Sequence, residues 1–423
     1  MTAAEMTMDE VTELHNKYLD WSKTTEGLAK LKEERRRWKK NDCPYYYRSA
    51  KMIYGDKAAS KESNEELDRV LVYEMHYTRS SYDPCLYWYE PMVHSEKHRR
   101  SLKRARGKQQ NQATHGDTTD TGIPEVHMVA AHVDDLGHHG DDEDMTWFES
   151  ELAKYFKIGK AEDMTSFLGM SVDQDVEKAT VHVSQPGLML KLEANHGHLW
   201  KDRRTPTVPL PPGTELDDRA TDEEFNDVKD QPYANIVSSL AYGARMSALH
   251  LALPVALLSR HMSKWNSLHM ELAVRVAHYA VENKHRGITF CGYGNGNNSD
   301  CMFGTADASF GVRTILAHFL IMNGAPFDHG ISTARCATIS TTDAELRAAM
   351  VLARKVKGWC LLLNEMPIRF KQDKPTTCEG DCSPAVTIVN NPGALGDATR
   401  HLKKAILFMR ECVATQITCY LWT

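Results

Sequence analysis

A chain of 423 residues holds enough material for about two or three domains with sizeable cores. Its net charge of -6 excludes a molecule-wide polyanion binder, so any nucleic-acid surface must be local. The ten cysteines form no dense framework, the first residues lack the apolar core of a signal peptide, and no apolar run reaches membrane-spanning length; the expectation is an intracellular protein, cytoplasmic or nuclear, with reduced thiols and no membrane contact.

Residues 1–43 form a charged segment. A predicted helix at 28–40 ends in Glu33-Glu34-Arg35-Arg36-Arg37-Trp38-Lys39-Lys40, which suits a solvated face, with nucleic-acid contact as the other reading. A tyrosine cluster and the block from Lys51 to Ala59 lead into a helix rich in Glu and Leu. The turn Asp83-Pro84 then precedes an aromatic strand through Tyr87, Trp88 and Tyr89. Residues 94–124 break the composition: the basic run from Lys97 to Lys108 and a Gln/Thr/Asp-rich linker predict a loop that could touch phosphate or act as a nuclear address, with a basic loop of neither role as the other reading.

Residues 126–133 predict a strand that ends at Asp134 and Asp135. Met145, Phe148, Leu152 and Phe156 then recur at helical spacing, and strands are expected at 166–172 and 180–183. Thr205 to Pro212 is a proline-rich connector. Helical regions follow at 232–259 and 268–283, the second ended by Gly287. From Ile288 the pattern changes to strands at 288–293, 301–306 and 314–322, a helix at 342–363, a strand ending near Asp381, a helix at 383–390, and a last helix and strand.

Two carboxylate sets stand out. Adjacent aspartates at a hairpin tip repel, and a divalent cation between them relieves that repulsion; a merely polar turn is the other reading of Asp134 and Asp135. Asp307, Glu345 and Asp381 each sit where a strand or helix begins or ends. Convergence of such groups is what two-metal phosphodiester hydrolysis needs. Against this, Thr342-Asp343-Ala344-Glu345 also reads as a capping box, and turn chemistry accounts for Asp307 and Asp381. An unrelated metal hydrolase using His132, Asp134, Asp135, His138, His139 and Asp141, a set that can hold zinc, is a weaker alternative, because neighbouring residues on a hairpin point to opposite faces.

Taken in order, these blocks resemble the C-terminal part of a copia-type LTR-retrotransposon Pol polyprotein. Lys51-Met52-Ile53-Tyr54-Gly55 is similar to the family's K-x-L-Y-G, and Asp83-Pro84-Cys85-Leu86-Tyr87 to its D-P-C-L-Y. His132-Val133-Asp134-Asp135 stands at Y-V-D-D, and Phe167-Leu168-Gly169 at F-L-G. Ile339-Ser340-Thr341-Thr342-Asp343-Ala344-Glu345 is close to L-S-T-T-E-A-E, and Asn391-Pro392, Thr399-Arg400-His401-Leu402 and Phe408-Met409-Arg410-Glu411 follow the closing blocks. The resemblance implies an α+β chain, a partial reverse-transcriptase palm and thumb followed by an RNase H-like α/β domain with a mixed sheet flanked by helices. Its divisions would be 44–204 (palm, with the basic loop 94–124), 205–285 (connector and helical thumb) and 286–423 (RNase H-like).

The resemblance also implies roles. Asp134 and Asp135 would be polymerase metal ligands, and Asp307, Glu345 and Asp381 RNase H metal ligands. The ion would be Mg2+, with Mn2+ as a substitute, and the partner an RNA–DNA hybrid or other nucleic acid. Departures bear on activity. The family's first polymerase Asp, upstream of the K-x-L-Y-G block, has no counterpart, so the polymerase is expected to be inactive. Lys403 stands where the family has an Asp after His-Ile, and Phe310 takes a Trp position. A non-catalytic nucleic-acid-binding remnant of the same element is the alternative.

Overall fold

A computed structural model describes residues 59–89, 126–133, 135–159, 161–214, 216, 219–292, 302–311, 313–367, 374–391, 393 and 396–422. The expected helix at 28–40, the Lys51 block, the basic run Lys97 to Lys108 and Asp134 lie outside them. The chain divides into Met1–Glu65 and Glu66–Thr423. The first unit's described part is the start of helix α1 (Ala59–Arg69), which runs on into a single π turn, Val70–Glu74. The second is a mixed α/β unit with three sheets among the described residues.

The first sheet has the order β1 (Thr78–Arg79), β2 (Leu86–Tyr89), β3 (His127–His132), β4 (Asp135–His139), all antiparallel. In β3 the side chains of His127, Val129 and Ala131 are buried and those between them are not, the period of two that a half-buried strand requires. Tyr87, Tyr89 and Val129 pack with Leu71, Phe148 and Leu152, the last two supplied by α2 (Asp142–Leu152). The β3–β4 turn places Val133 at φ +53°, a left-handed conformation rare for a branched side chain.

The second sheet runs β5 (Ser166–Phe167), β6 (Met170–Asp175), β7 (Thr180–Ser184), β8 (Ile288–Cys291), again antiparallel. The single strand expected at 166–172 is a tight hairpin instead, because Leu168 and Gly169 take φ +51° and +73° and reverse the chain. β8 was grouped by pattern with the strands that follow it; it pairs with β7 and not with them.

Between β7 and β8 lie α3 (Pro186–His196), α4 (Asp222–Val228), α5 (Tyr233–Met246), α6 (Ala252–Ser259) and α7 (Ser267–Glu282). Tyr233, Ile236, Leu240, Leu251, Leu258 and Val276 are at the centre of their core. The helical region expected at 232–259 is split between α5 and α6 by a break at Ser247 and a 3-10 turn at Leu249–Leu251. The proline-rich stretch 205–212 carries no helix or strand.

The third sheet is mixed. Its strands are β9 (Phe303–Ser309), β10 (Ile315–Met322), β11 (Ala325–Thr333), β12 (Thr376–Gly380) and β13 (Thr418–Trp422), in the order β11-β10-β9-β12-β13. β9, β10 and β11 are antiparallel, while β12 runs parallel to both β9 and β13. Helices α8 (Thr341–Glu365), α9 (Ser383–Asn390) and α10 (Lys403–Ala414) bury Leu346, Leu352, Val356, Val389, Ile406 and Met409 with Leu320 and Cys378 of the sheet. The sequence pattern predicts no strand over β11. Its centre, Asp328-His329-Gly330, has no apolar alternation, and Gly330 sits opposite His318, whose ring occupies the space a Cβ would need.

Candidate metal centre

Three elements of the third sheet deliver carboxylates to one place. In β9, Gly304 and Ala306 are buried while Asp307 is exposed. Gly304 lets α8 approach closely: a Cβ there would stand 2.7 Å from Leu352 Cδ1 and 3.0 Å from Leu320 Cδ2. That approach allows Glu345 to reach the strand, where its Oε1 accepts a hydrogen bond from the Ala308 amide at 3.2 Å.

Asp381 arrives through register. The parallel pairs Thr377–Phe303, Cys378–Gly304 and Glu379–Thr305, continued by two places, bring position 381 alongside 307. Asp381 follows the last residue of β12, and Cys382 then caps α9, with a proline in its first turn. The ligand oxygens of Asp307, Glu345 and Asp381 all lie within 4.8 Å of one another.

Glu345 takes no part in capping α8. Ser340 is the cap, its Oγ accepting from the Asp343 amide at 3.1 Å, and Asp343 Oδ2 accepts in turn from the Ile339 amide at 3.0 Å. Asp343 is also bound by Arg347 Nε at 2.7 Å and lies 3.4 Å from His401 Nε2. Burial pushes the Asp343 carboxyl up, but Arg347, the Ile339 amide and His401 outweigh it and hold it below the usual range. The cap thus belongs to Ser340, and Asp343 ties the preceding Ile339 amide to the helix start. Sequence reading misplaced it by starting the helix at Thr342, although Ser340-Thr341-Thr342-Asp343 carries the same signal.

The electrostatics of the three carboxylates are unfavourable as they stand. Burial, then the charges of Asp307 and Asp381, raise Glu345 to about 7, against the hydrogen bond from Ala308. A divalent ion would reverse that balance. The donor set is all hard oxygen on separate rigid elements, which fits Mg2+ or Mn2+. Among the described residues this is the group that could hold a metal.

The hairpin residues are arranged differently. Asp135 opens β4 and is exposed, paired in register with His132. His138 is turned away into the sheet's core. There Tyr77 Oη and His127 Nδ1 share a hydrogen bond of 2.7 Å, and His127 Nε2 lies 3.2 Å from His138 Nδ1. Among the described residues, His132, Asp135, His138, His139 and Asp141 form no group that could hold a metal, and Asp134 lies outside them. Lys403, exposed, is the first residue of α10, and the carboxylate group closes without it.

No family model and no curated protein matches the sequence. Among solved structures, LC11-RNase H1, isolated from compost by a metagenomic approach, aligns at a TM-score of 0.24 and 9% identity, over 29% of this chain and 84% of that one.

Proposed function

We propose that the third sheet and its helices form a divalent-metal-dependent nuclease acting on the RNA strand of RNA–DNA hybrids, within a chain derived from a retrotransposon reverse transcriptase/RNase H. The observation that carries the reading is the convergence of Asp307, Glu345 and Asp381 within 4.8 Å from a strand, a helix and a strand end. Mg2+ at these oxygens would supply activation of water and neutralisation of the leaving oxygen. Asp307 and Asp381, exposed at adjacent strand positions, face the solvent from which a substrate phosphate arrives. Glu345, half-buried and anchored by the Ala308 amide, is held in one orientation for its share of the ion. Asp343, already paired with Arg347, supports the helix end and is not a ligand.

In the same reading, Asp134 and Asp135 mark the tip of an ancestral polymerase hairpin, and the residues given hold no counterpart of the family's first polymerase Asp. The test is cleavage of a labelled RNA–DNA hybrid in Mg2+ or Mn2+ by the full chain and by Asp307→Asn and Asp381→Asn. Metal-dependent cleavage lost in both variants is expected. No cleavage, or cleavage indifferent to Asp307→Asn, would leave the remnant reading, in which the fold binds nucleic acid without cutting it.

A further inference from the structure

We propose that Glu365 is a latch: its carboxylate, seated in the turn between β1 and β2, couples the opening of that hairpin to the opening of the last turn of α8. The partners stand 284 and 285 positions apart in sequence. Ser80 Oγ donates to Glu365 Oε2 at 2.7 Å, and the Ser81 amide donates to Glu365 Oε1 at 2.8 Å, so each carboxylate oxygen has its own donor. The seat is fixed from within the turn. Ser80 Oγ accepts from the amides of Tyr82 at 3.1 Å and Asp83 at 3.0 Å. Asp83 Oδ1 accepts from the Cys85 amide at 3.0 Å, and Arg79 Nε donates to the Pro84 carbonyl at 3.0 Å. Ser80 is 4% exposed while Ser81, Tyr82 and Asp83 are exposed, so the end of α8 covers the one hydroxyl that the contact uses most directly.

A carboxylate is out of place at this end of a helix. Glu365 is the last residue of α8, at the negative end of the helix dipole, and no basic residue stands in that turn. The donors that make the position favourable come from the first sheet. Burial raises the Glu365 carboxyl, but the Ser80 hydroxyl, the Ser81 amide and hydroxyl and the Tyr82 amide outweigh it and hold it below the usual range. At about 1.5 Å of rise per residue, Glu365 stands about 30 Å along α8 from Glu345, so the latch is separate from the carboxylate group and does not depend on the chemistry there. The first sheet has a second hold. Gly137 of β4 approaches Met164 and Phe167 so closely that a Cβ would stand 2.9 Å from Met164 Cε. That apolar contact keeps the sheet seated when the latch opens, so release of Glu365 is a local event. Coupling through one shared contact is reciprocal: what loosens the turn loosens the end of α8, and the converse.

Hydrogen exchange of the full chain, read by mass spectrometry on peptides covering 77–89 and 359–367, compares the parent with Glu365→Gln, Ser80→Ala and the double variant. Glu365→Gln removes a charge that opposes the helix dipole, so in the absence of a latch the end of α8 should exchange more slowly. With the latch, exchange should quicken at both peptides by about 10- to 100-fold, the range of a hydrogen bond to a charged group. Ser80→Ala alters no residue of α8, yet it should quicken the α8 peptide too. The double variant should quicken that peptide no further than the faster single variant, because both remove one interaction. Glu365→Asp withdraws the carboxylate by one carbon at constant charge and should also quicken both peptides. Peptides from β9 and β12, expected to exchange as in the parent, check that the variants fold. Exchange at the end of α8 that slows or stays unchanged in Glu365→Gln, a Ser80→Ala effect confined to the turn, or factors that multiply in the double variant would each overturn the latch.

Discussion

The carboxylate group should weaken the fold when no cation is bound. Glu345 titrates near 7 in the folded chain against 4.5 when free. The folded protein therefore holds more protons than the unfolded chain between those values, and stability is lost as pH rises through that window. The full difference corresponds to about 3.4 kcal/mol. Glu345 is only half-buried, and solvent screening reduces the expected loss to about 1–2 kcal/mol. Glu345→Gln keeps an acceptor for the Ala308 amide and removes the charge. In EDTA at pH 8, urea denaturation should show this variant about 1–2 kcal/mol more stable than the parent, with the gain vanishing near pH 4.5. Mg2+ should stabilise the parent at pH 8, and much less at pH 4.5, where a bound ion must displace a proton. Asp307→Asn should remove most of the Mg2+ increment. A Glu345→Gln variant no more stable than the parent at pH 8, or a Mg2+ increment that survives Asp307→Asn, would refute the electrostatic account of the site.

Three further outcomes follow from the geometry. Gly304→Ala puts a Cβ against Leu352 and Leu320, which are 1% and 0% exposed and have little room to yield; urea titration should show a loss of about 1–3 kcal/mol, and the Mg2+ required for half-maximal hybrid cleavage should rise as α8 is pushed from the strand. Ser340→Ala removes the acceptor for the Asp343 amide and should cost about 1 kcal/mol in urea; a cost of no more than a few tenths would mean that Asp343 alone caps the helix. His127 is fully buried, and burial, then His138 and His139, hold it down to about 3. The unfolded chain takes up that proton near 6.5, so stability should fall by about 1.4 kcal/mol per pH unit as pH drops from there towards 3, and His127→Gln should flatten the slope.

Local pattern carried the helices well and the sheets less well. The helix at 383–390 is bounded by Asp381-Cys382 and Pro384 on one side and Asn391-Pro392 on the other, so its limits are written in adjacent residues. The third sheet is not local in that sense. β12 joins β9 across α8, and nothing near Thr376 states that its partner is Phe303 to Thr305. The meeting of Asp381 with Asp307 depends on that register. Asp307, Glu345 and Asp381 could be singled out because each sits at an element end and because the blocks around them resemble one family in order. Their mutual distance, the anchoring of Glu345 by a backbone amide and the glycine that admits α8 are properties of packing. β11 was lost because Asp328, in the middle of the strand, serves a buried polar network. It accepts from Trp359 Nε1 at 2.7 Å and Lys355 Nζ at 3.0 Å, and so breaks the alternation by which a strand is recognised.

The two carboxylate sets, alike in sequence, should separate in experiment. Asp135 lies at the turn end of an antiparallel hairpin, exposed, with His132 as its register partner. The carboxylate group that could hold a metal among the described residues is built wholly from the third sheet and α8, and shares no residue with that hairpin. Asp135→Asn should accordingly leave hybrid cleavage and the Mg2+ increment in stability within about 0.5 kcal/mol of the parent, the range of an ordinary surface change. Primer extension on an RNA template should be absent in parent and variant alike. A loss of Mg2+ stabilisation in Asp135→Asn would place a functional metal site at the hairpin. Primer extension by the parent, lost in that variant, would show that the hairpin carboxylates find a third partner elsewhere in the chain and still work as a polymerase centre.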